Sequence, residues 1–266
     1  MSTPQTPTHQ VLILLTGADE WTLVDGSKHP TGFWADELVA PHRVFRAAGW
    51  DVTIATPGGV TPPLDEGSLE PGSAGGDAAA ADQRAYLEGI QDELSAAVPI
   101  EDVDPRPFDV VFVPGGHGPM EDLAVHAPTG RLLTAMLDDD MKLVAAVCHG
   151  PAALLAAKRA DGSWPFAGRT LTGFTNEEEH QAGLGEIATW LLEDRLRDGG
   201  TSFEYGEPWA SFLVEDKNLH TGQNPASAGP LAERLIEIVV ARDDAAVEAA
   251  AQALAEAEAD GGAAAS

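Results

Sequence analysis

"KLVAAVCHGPAALLAA", residues 142–157, is an apolar run that changes character at one point. Up to Cys148 its residues are those of a buried strand; after His149-Gly150-Pro151 they are those of a helix. A strand that turns this tightly into a helix holds the residue at the corner in a strained conformation. Small side chains are then needed two positions to either side, and here they are Ala146 and Gly150. This is the cysteine counterpart of the G-x-S-x-G nucleophile elbow. Such a corner projects its side chain from the carboxyl end of the sheet, where open α/β sheets bind ligands. The N–H groups and positive dipole end of a following helix would favour a thiolate. Pro151 suits the first helical turn, where a missing donor costs nothing. A lone cysteine is more often a small buried hydrophobe than a nucleophile, but the residues around Cys148 turn the reading toward catalysis.

Outward from this corner, short apolar runs alternate with helix-like segments. That pattern predicts an α/β fold with a mostly parallel central sheet covered on both faces. Strands are expected at 11–16, 51–57, 109–116, 142–148 and 169–174. Helices are expected at 35–50, 151–160, 188–200 and 231–244, and a hairpin at 211–223 turning at Lys217-Asn218. Residues 62–82, rich in Gly, Pro, Ala and acid, read as a loop or irregular excursion. A helical stretch follows at 83–97, so the insertion 62–105 is expected to cap one edge of the sheet. The organisation predicted is one domain over residues 1–242, then an acidic, Ala-rich tail over 243–266 with little to bury.

The chain has 43 acidic and 15 basic residues, four of them Lys, for a net charge of −28. Such a surface repels phosphates and anionic lipids, which excludes nucleic acid and membrane as natural partners. The charge fits a high-salt habitat as well as it fits a GC-rich genome. No apolar run reaches the ~20 residues of a membrane helix, and "MSTPQTPTHQ" lacks the features of a signal peptide. One cysteine leaves no disulfide framework and no thiolate metal cage, and it suits a reducing cytoplasm. No paired histidine spacing points to a metal.

Four stretches together carry a family resemblance: "AAVCHGPAALL" (145–155), "VVFVPGGHGPMEDL" (110–123), "HPTGFWADELVAPHRVFRAAGWDVTIATPGG" (29–59) and "LHTGQNPASA" (219–228). Motif by motif, and in the same order along the chain, the sequence resembles the DJ-1/PfpI superfamily in its Hsp31-like branch, over roughly residues 11–240. The resemblance implies a flavodoxin-like three-layer sandwich and a glutathione-independent glyoxalase that converts methylglyoxal to lactate without a cofactor. It also implies a possible homodimer. Carried over by position, Cys148 matches the nucleophile, His149 its adjacent histidine and Glu37 the upstream glutamate. The acid that orients the histidine falls in "GFTNEEEH", on Glu179 by spacing, with Glu178 the fallback.

Chemistry assigns similar roles. A thiolate attacking a carbonyl forms a hemithioacetal whose oxygen needs donors, and the N–H groups of Gly116 and His149 are candidates. Turning a 2-oxoaldehyde into a 2-hydroxyacid moves a proton from C1 to C2, which His149 and Glu37 could carry. A carboxylate beside Cys148 raises the thiol pKa, so Glu37 is expected to share a proton with the sulfur. Pro41 denies the Glu37 carbonyl its helical donor, so a kink or helix start is expected there. His117 and Asn224 are candidates for substrate binding, although Asn224 or Ser227 could simply cap a helix. His29, Phe33 and Trp34 are candidate pocket walls. Rival readings are a cysteine amidase or peptidase, and a stress holdase or deglycase.

Overall fold

The continuous Val/Ile/Leu runs become strands buried on both faces, as a parallel sheet requires. In the computed structural model, which describes residues 9–263, seven strands form one sheet. They are β1 (Gln10–Leu14), β2 (Asp51–Thr56), β3 (Val98–Pro99), β4 (Val110–Val113), β5 (Leu143–Val147), β6 (Leu213–Asp216) and β7 (Leu219–Gly222). Their order is β6-β7-β5-β4-β1-β2-β3, and every pairing is parallel except β6 with β7. Helices cover both faces. Every residue of β4 and β5 is fully buried, so the carboxyl end of the sheet's middle is the natural floor of a site.

Four helices matter most here: α1 (Ala35–Ala47), α2 (Asp77–Gly89), α3 (Ala127–Leu137) and the C-terminal α5 (Ala228–Ala263), with a short α4 (Asn176–Gln181). Helix α1 runs through Pro41 and begins at Ala35, so Pro41 does not start a new helix. Helix α5 packs on α1 and continues without a break past residue 242, where the tail was expected to begin. No described helix is long and apolar enough to cross a membrane. The signal-peptide reading falls mostly on residues 1–8, outside the described residues.

Three expectations need correction. The apolar run 169–174 gives only Thr170–Leu171, which pairs with Ser202–Phe203 in a separate two-stranded ribbon. The main sheet takes the strand Leu219–Gly222 beside β5 instead. The segment after Cys148 is not an α-helix but a 3-10 stretch, Gly150–Ala156. The backbone there is pressed against α3: a Cβ on Gly130 would stand 2.0 Å from the Ala156 carbonyl oxygen. Residues 62–82 are not an irregular loop. Asp65 caps a 3-10 turn, Gly75 and Gly76 take positive φ, and "DAAAAD" opens α2, whose Gln83 Nε2 donates to Asp36 Oδ1 at 3.1 Å. The insertion does close on the sheet, ending in its edge strand β3.

Candidate active site

The corner after β5 is strained as the sequence requires. Cys148 has φ +57°, a left-handed conformation that costs a non-glycine residue ~1 kcal/mol. The surrounding backbone holds it there. Cys148 N–H donates to the Gly222 carbonyl at 3.0 Å, and its own carbonyl accepts the Phe174 N–H at 2.8 Å. Gly150 must lack a side chain, because a Cβ would lie 2.1 Å from the Val113 carbonyl oxygen. The thiol itself is buried, with Cys148 4% exposed.

His149 bridges the thiol to a carboxylate. Its Nε2–H donates to Glu179 Oε2 at 2.6 Å, and its Nδ1 lies 3.4 Å from Cys148 Sγ. Burial pushes the Glu179 carboxyl up, but attraction to His149 and N–H donation from His117 and His149 outweigh it, leaving the acid well below the usual range. An ionised carboxylate only accepts, so His149 carries its proton on Nε2 and presents a bare Nδ1 to the sulfur. Burial and the neighbouring His117 keep the imidazole neutral by lowering its pKa. Helix α4 aims Glu179 through a capping box: Thr175 Oγ1 accepts the Glu178 N–H while Glu178 Oε2 accepts the Thr175 N–H. The neighbouring Glu178 points elsewhere, its Oε1 accepting from Trp209 N–H at 2.8 Å and Asn224 Nδ2 at 2.9 Å.

Glu37 stands on the other side of the sulfur. It is fully buried, and its Oε2 accepts the Gly115 N–H at 2.6 Å. Its Oε1 has no hydrogen-bond partner among the described residues. Burial raises its pKa to about 8 against the opposing pull of the Cys148 thiol and the Gly115 N–H, so Glu37 holds a proton at neutral pH. With Oε2 accepting from the backbone, that proton belongs on Oε1. The thiol is also raised well above its ordinary value, by burial first and then by Glu37. The thiolate expected from a helix N-terminus is therefore absent: the 3-10 segment is too weak a dipole to offset burial beside a carboxyl group.

The sequence reading did not single out Gly115. A Cβ there would meet His149 N at 2.6 Å, Glu37 Oε2 at 2.8 Å and Cys148 Cβ at 3.0 Å. Glycine lets three functional groups converge; the only available signal was the first Gly of "PGGHG". Gly116, with φ +89°, packs its Cα under Gly32–Trp34, and its N–H enters no hydrogen bond among the described residues. The His149 N–H, the other expected oxyanion donor, likewise enters no hydrogen bond among the described residues.

Asn224 is fully buried, and its amide is engaged by protein groups. Its Nδ2 donates to Glu178 and to the Ala210 carbonyl, and Ser227 Oγ meets its Oδ1 at 3.1 Å. It ties the 204–212 segment to α4. Phe33 is core, and Trp34 is the N-cap residue of α1, its N–H donating to the Gly115 carbonyl at 3.2 Å. His29 is half-buried, edge-on to His117 at 6.2 Å between ring centres. His117, His149 and Glu179 present ligand-type atoms within 4.8 Å of one another. Both imidazole N–H groups already point at carboxylate oxygens, so the trio forms a hydrogen-bonded unit that a cation would have to break. A groove of about 550 Å³ beside Trp164, Trp190 and Arg195 contains none of these groups.

A buried thiol at a strained corner, with a neutral histidine on one side and a protonated glutamate on the other, now stands beside the matches to known proteins. The model of the DJ-1/PfpI family matches residues 31–238. The chain belongs to the DJ-1/PfpI family. Within it, the chain is similar to glyoxalase 3 of Candida albicans, 30% identical over 237 residues that cover 85% of this chain and 97% of that protein. It is also 28% identical to the protein/nucleic acid deglycase HchA of Pseudomonas aeruginosa, over 82% of this chain and 77% of that one. The crystal structure of glyoxalase III from Candida albicans superposes with a TM-score of 0.72 at 27% identity, covering 86% of this chain and 96% of that one.

Proposed function

We propose that this chain is a glutathione-independent glyoxalase, a lyase-type enzyme that converts methylglyoxal and related 2-oxoaldehydes to 2-hydroxyacids, D-lactate in the case of methylglyoxal. The observation that carries the reading is the arrangement around Cys148: a buried thiol at a strained corner, with the buried Glu37 carboxyl on one side and His149 Nδ1 at 3.4 Å on the other. An isomerisation that both removes and returns protons needs a paired acid and base at one carbon.

In this reading Sγ adds to the aldehyde carbon C1 as its proton passes to His149 Nδ1, and Glu179 stabilises the imidazolium. Glu37 Oε1–H protonates the new oxyanion, giving a hemithioacetal. The Glu37 carboxylate then removes the C1 proton, the electron pair forms the C1–C2 double bond, and O2 takes the His149 proton. Collapse of this enediol returns the O1 proton to His149 and a proton from Glu37 to C2, leaving a 2-hydroxyacyl thioester. Water adds at C1 and gives one proton to the Glu37 carboxylate, the sulfur departs with the His149 proton, and the product acid ionises, which restores the resting state. The cycle needs no cofactor and consumes one water.

The depth of the thiol favours this substrate over the amide of a cysteine peptidase or a protein-borne adduct, because at 4% exposure it admits a three-carbon aldehyde more readily than a polymer. A lone reduced cysteine fits the cytoplasm. The test is D-lactate release from methylglyoxal without glutathione; no detectable product from the wild-type protein sinks the proposal.

A further inference from the structure

Glu179 is held by two imidazoles where a Cys–His–acid triad needs one. His149 Nε2–H donates to its Oε2 at 2.6 Å, and His117 Nε2–H donates to its Oε1 at 2.8 Å. The two rings stand 4.1 Å apart. His117 is fixed from its other side by Trp21, stacked at 4.6 Å with an 18° interplanar angle. Trp21 is fully buried in a hairpin, Glu20–Thr22 with Lys28–Pro30, that also carries His29. His117 is itself 7% exposed, so this is a built feature and not a surface histidine resting on an acid.

We infer that His117 is a positioning residue: by occupying Glu179 Oε1 it leaves Oε2 to His149, which fixes His149 as the Nε2–H tautomer with Nδ1 toward Cys148 Sγ. The role differs from the oxyanion or substrate contact expected from the sequence, because its Nε2–H is engaged by Glu179. The second donor also tempers Glu179. A carboxylate with one donor attracts the His149 proton more strongly than one with two, so His117 keeps His149 ready to act as a base.

The charged groups around His149 come from several elements. Glu179 faces it from α4, with Glu178 acting from farther off, His117 faces it from the turn after β4, and Cys148 on its own corner links it to Glu37 of α1. Around His117 lie Glu179 and His29, with Asp65 behind His29. Removing the His117 ring deletes one donor on Glu179 and a neighbour that opposes a positive charge on His149. Both changes favour the imidazolium, so the His149 pKa rises and the acid limb of activity moves to higher pH.

The inference rests on the glyoxalase reading for its kinetic arm only. In methylglyoxal turnover, His117→Ala is expected to lower kcat by ~10- to 100-fold with KM within about threefold, and to move the acid limb of kcat/KM up by roughly one pH unit. His117→Gln places an amide N–H near the position of Nε2–H and is expected to recover kcat to within about fivefold. An effect confined to KM would make His117 a substrate contact, and a Gln variant no better than Ala would make its role ring packing alone; either overturns the inference. Nitrogen-15 NMR of the histidines provides an arm that needs no substrate. It should show the Nε2–H tautomer of His149 in the wild type and a higher titration midpoint in His117→Ala. If His149 titrates identically in both proteins, the inference fails, whereas a wild type without turnover but with the expected NMR shift removes only the glyoxalase reading.

Discussion

Glu37 and Glu179 are both buried, and both lie within one residue's reach of the Cys148–His149 pair, yet they hold opposite charge states. Glu37 receives one backbone N–H and otherwise faces the thiol, and burial carries its pKa to about 8. Glu179 receives two imidazole N–H groups, and it stays ionised although it is just as dry. Burial alone does not fix the charge of a carboxyl group; attraction to His149 and donation from two imidazoles hold Glu179 ionised, where Glu37 has only the Gly115 N–H and a thiol. One glutamate is thereby made an acid and the other an anchor for a base, which separates the two jobs the chemistry needs.

Removing the shared centre destroys both halves of this contrast. Cys148→Ala should abolish D-lactate formation below detection, a loss of more than ~10⁴-fold, with the fold retained by circular dichroism. Glu37→Gln keeps the shape and cannot carry a proton. It should lower kcat by about 10²- to 10³-fold in the same assay. It should also stabilise the protein against denaturant. A carboxyl whose folded pKa is raised binds more protons folded than unfolded between about pH 4.5 and about 8. Its stabilising contribution is therefore complete below the unfolded value and is lost as pH rises to the folded one. The advantage of Gln should grow across that window and level off above it; a flat difference would mean Glu37 is already ionised at neutral pH.

Glu179→Gln is the next smaller change, at about 100-fold in kcat, because the imidazolium loses its counter-charge while the thiol and Glu37 stay in place. The adjacent Glu178→Gln sharpens the comparison from outside. Its carboxylate serves the capping box and the Trp209–Asn224 anchor, so the expected result is a loss of ~1 kcal/mol in urea denaturation with kcat/KM within about threefold of wild type. A larger kinetic effect at residue 178 than at 179 would reverse the assignment of the two acids.

Much of this was legible in the sequence, for identifiable reasons. Continuous apolar runs such as "VVFV" and "LVAAV" have no other stable home than a two-sided parallel sheet, and the corner at Cys148 declares itself through Ala146, Gly150 and Pro151. The family motifs pointed to Glu37 and Glu179, far apart in the chain, as partners of one Cys148–His149 corner. Other parts were hidden because they depend on partners. "RTLTGF" has the composition of a core strand, but the slot beside β5 went to Leu219–Gly222, whose hairpin brings an extra antiparallel edge. "DAAAAD" is a strong helix former disguised by the Gly/Pro-rich residues before it. Trp21 carries no local pattern, and "PGGHG" marks a turn without saying what His117 and Gly115 do; their roles exist only once the turn after β4, the small hairpin and α4 meet.

The buried thiol has a consequence for durability. Peroxides and alkylating agents consume thiolates, and an exposed low-pKa cysteine is continuously at risk of over-oxidation. Cys148 keeps its proton until a carbonyl arrives to be attacked, with burial and Glu37 both holding the thiol neutral. Such a nucleophile is slow toward indiscriminate electrophiles and becomes reactive only in company with its substrate. The working life of the enzyme would then be limited by turnovers completed, not by time spent among oxidants.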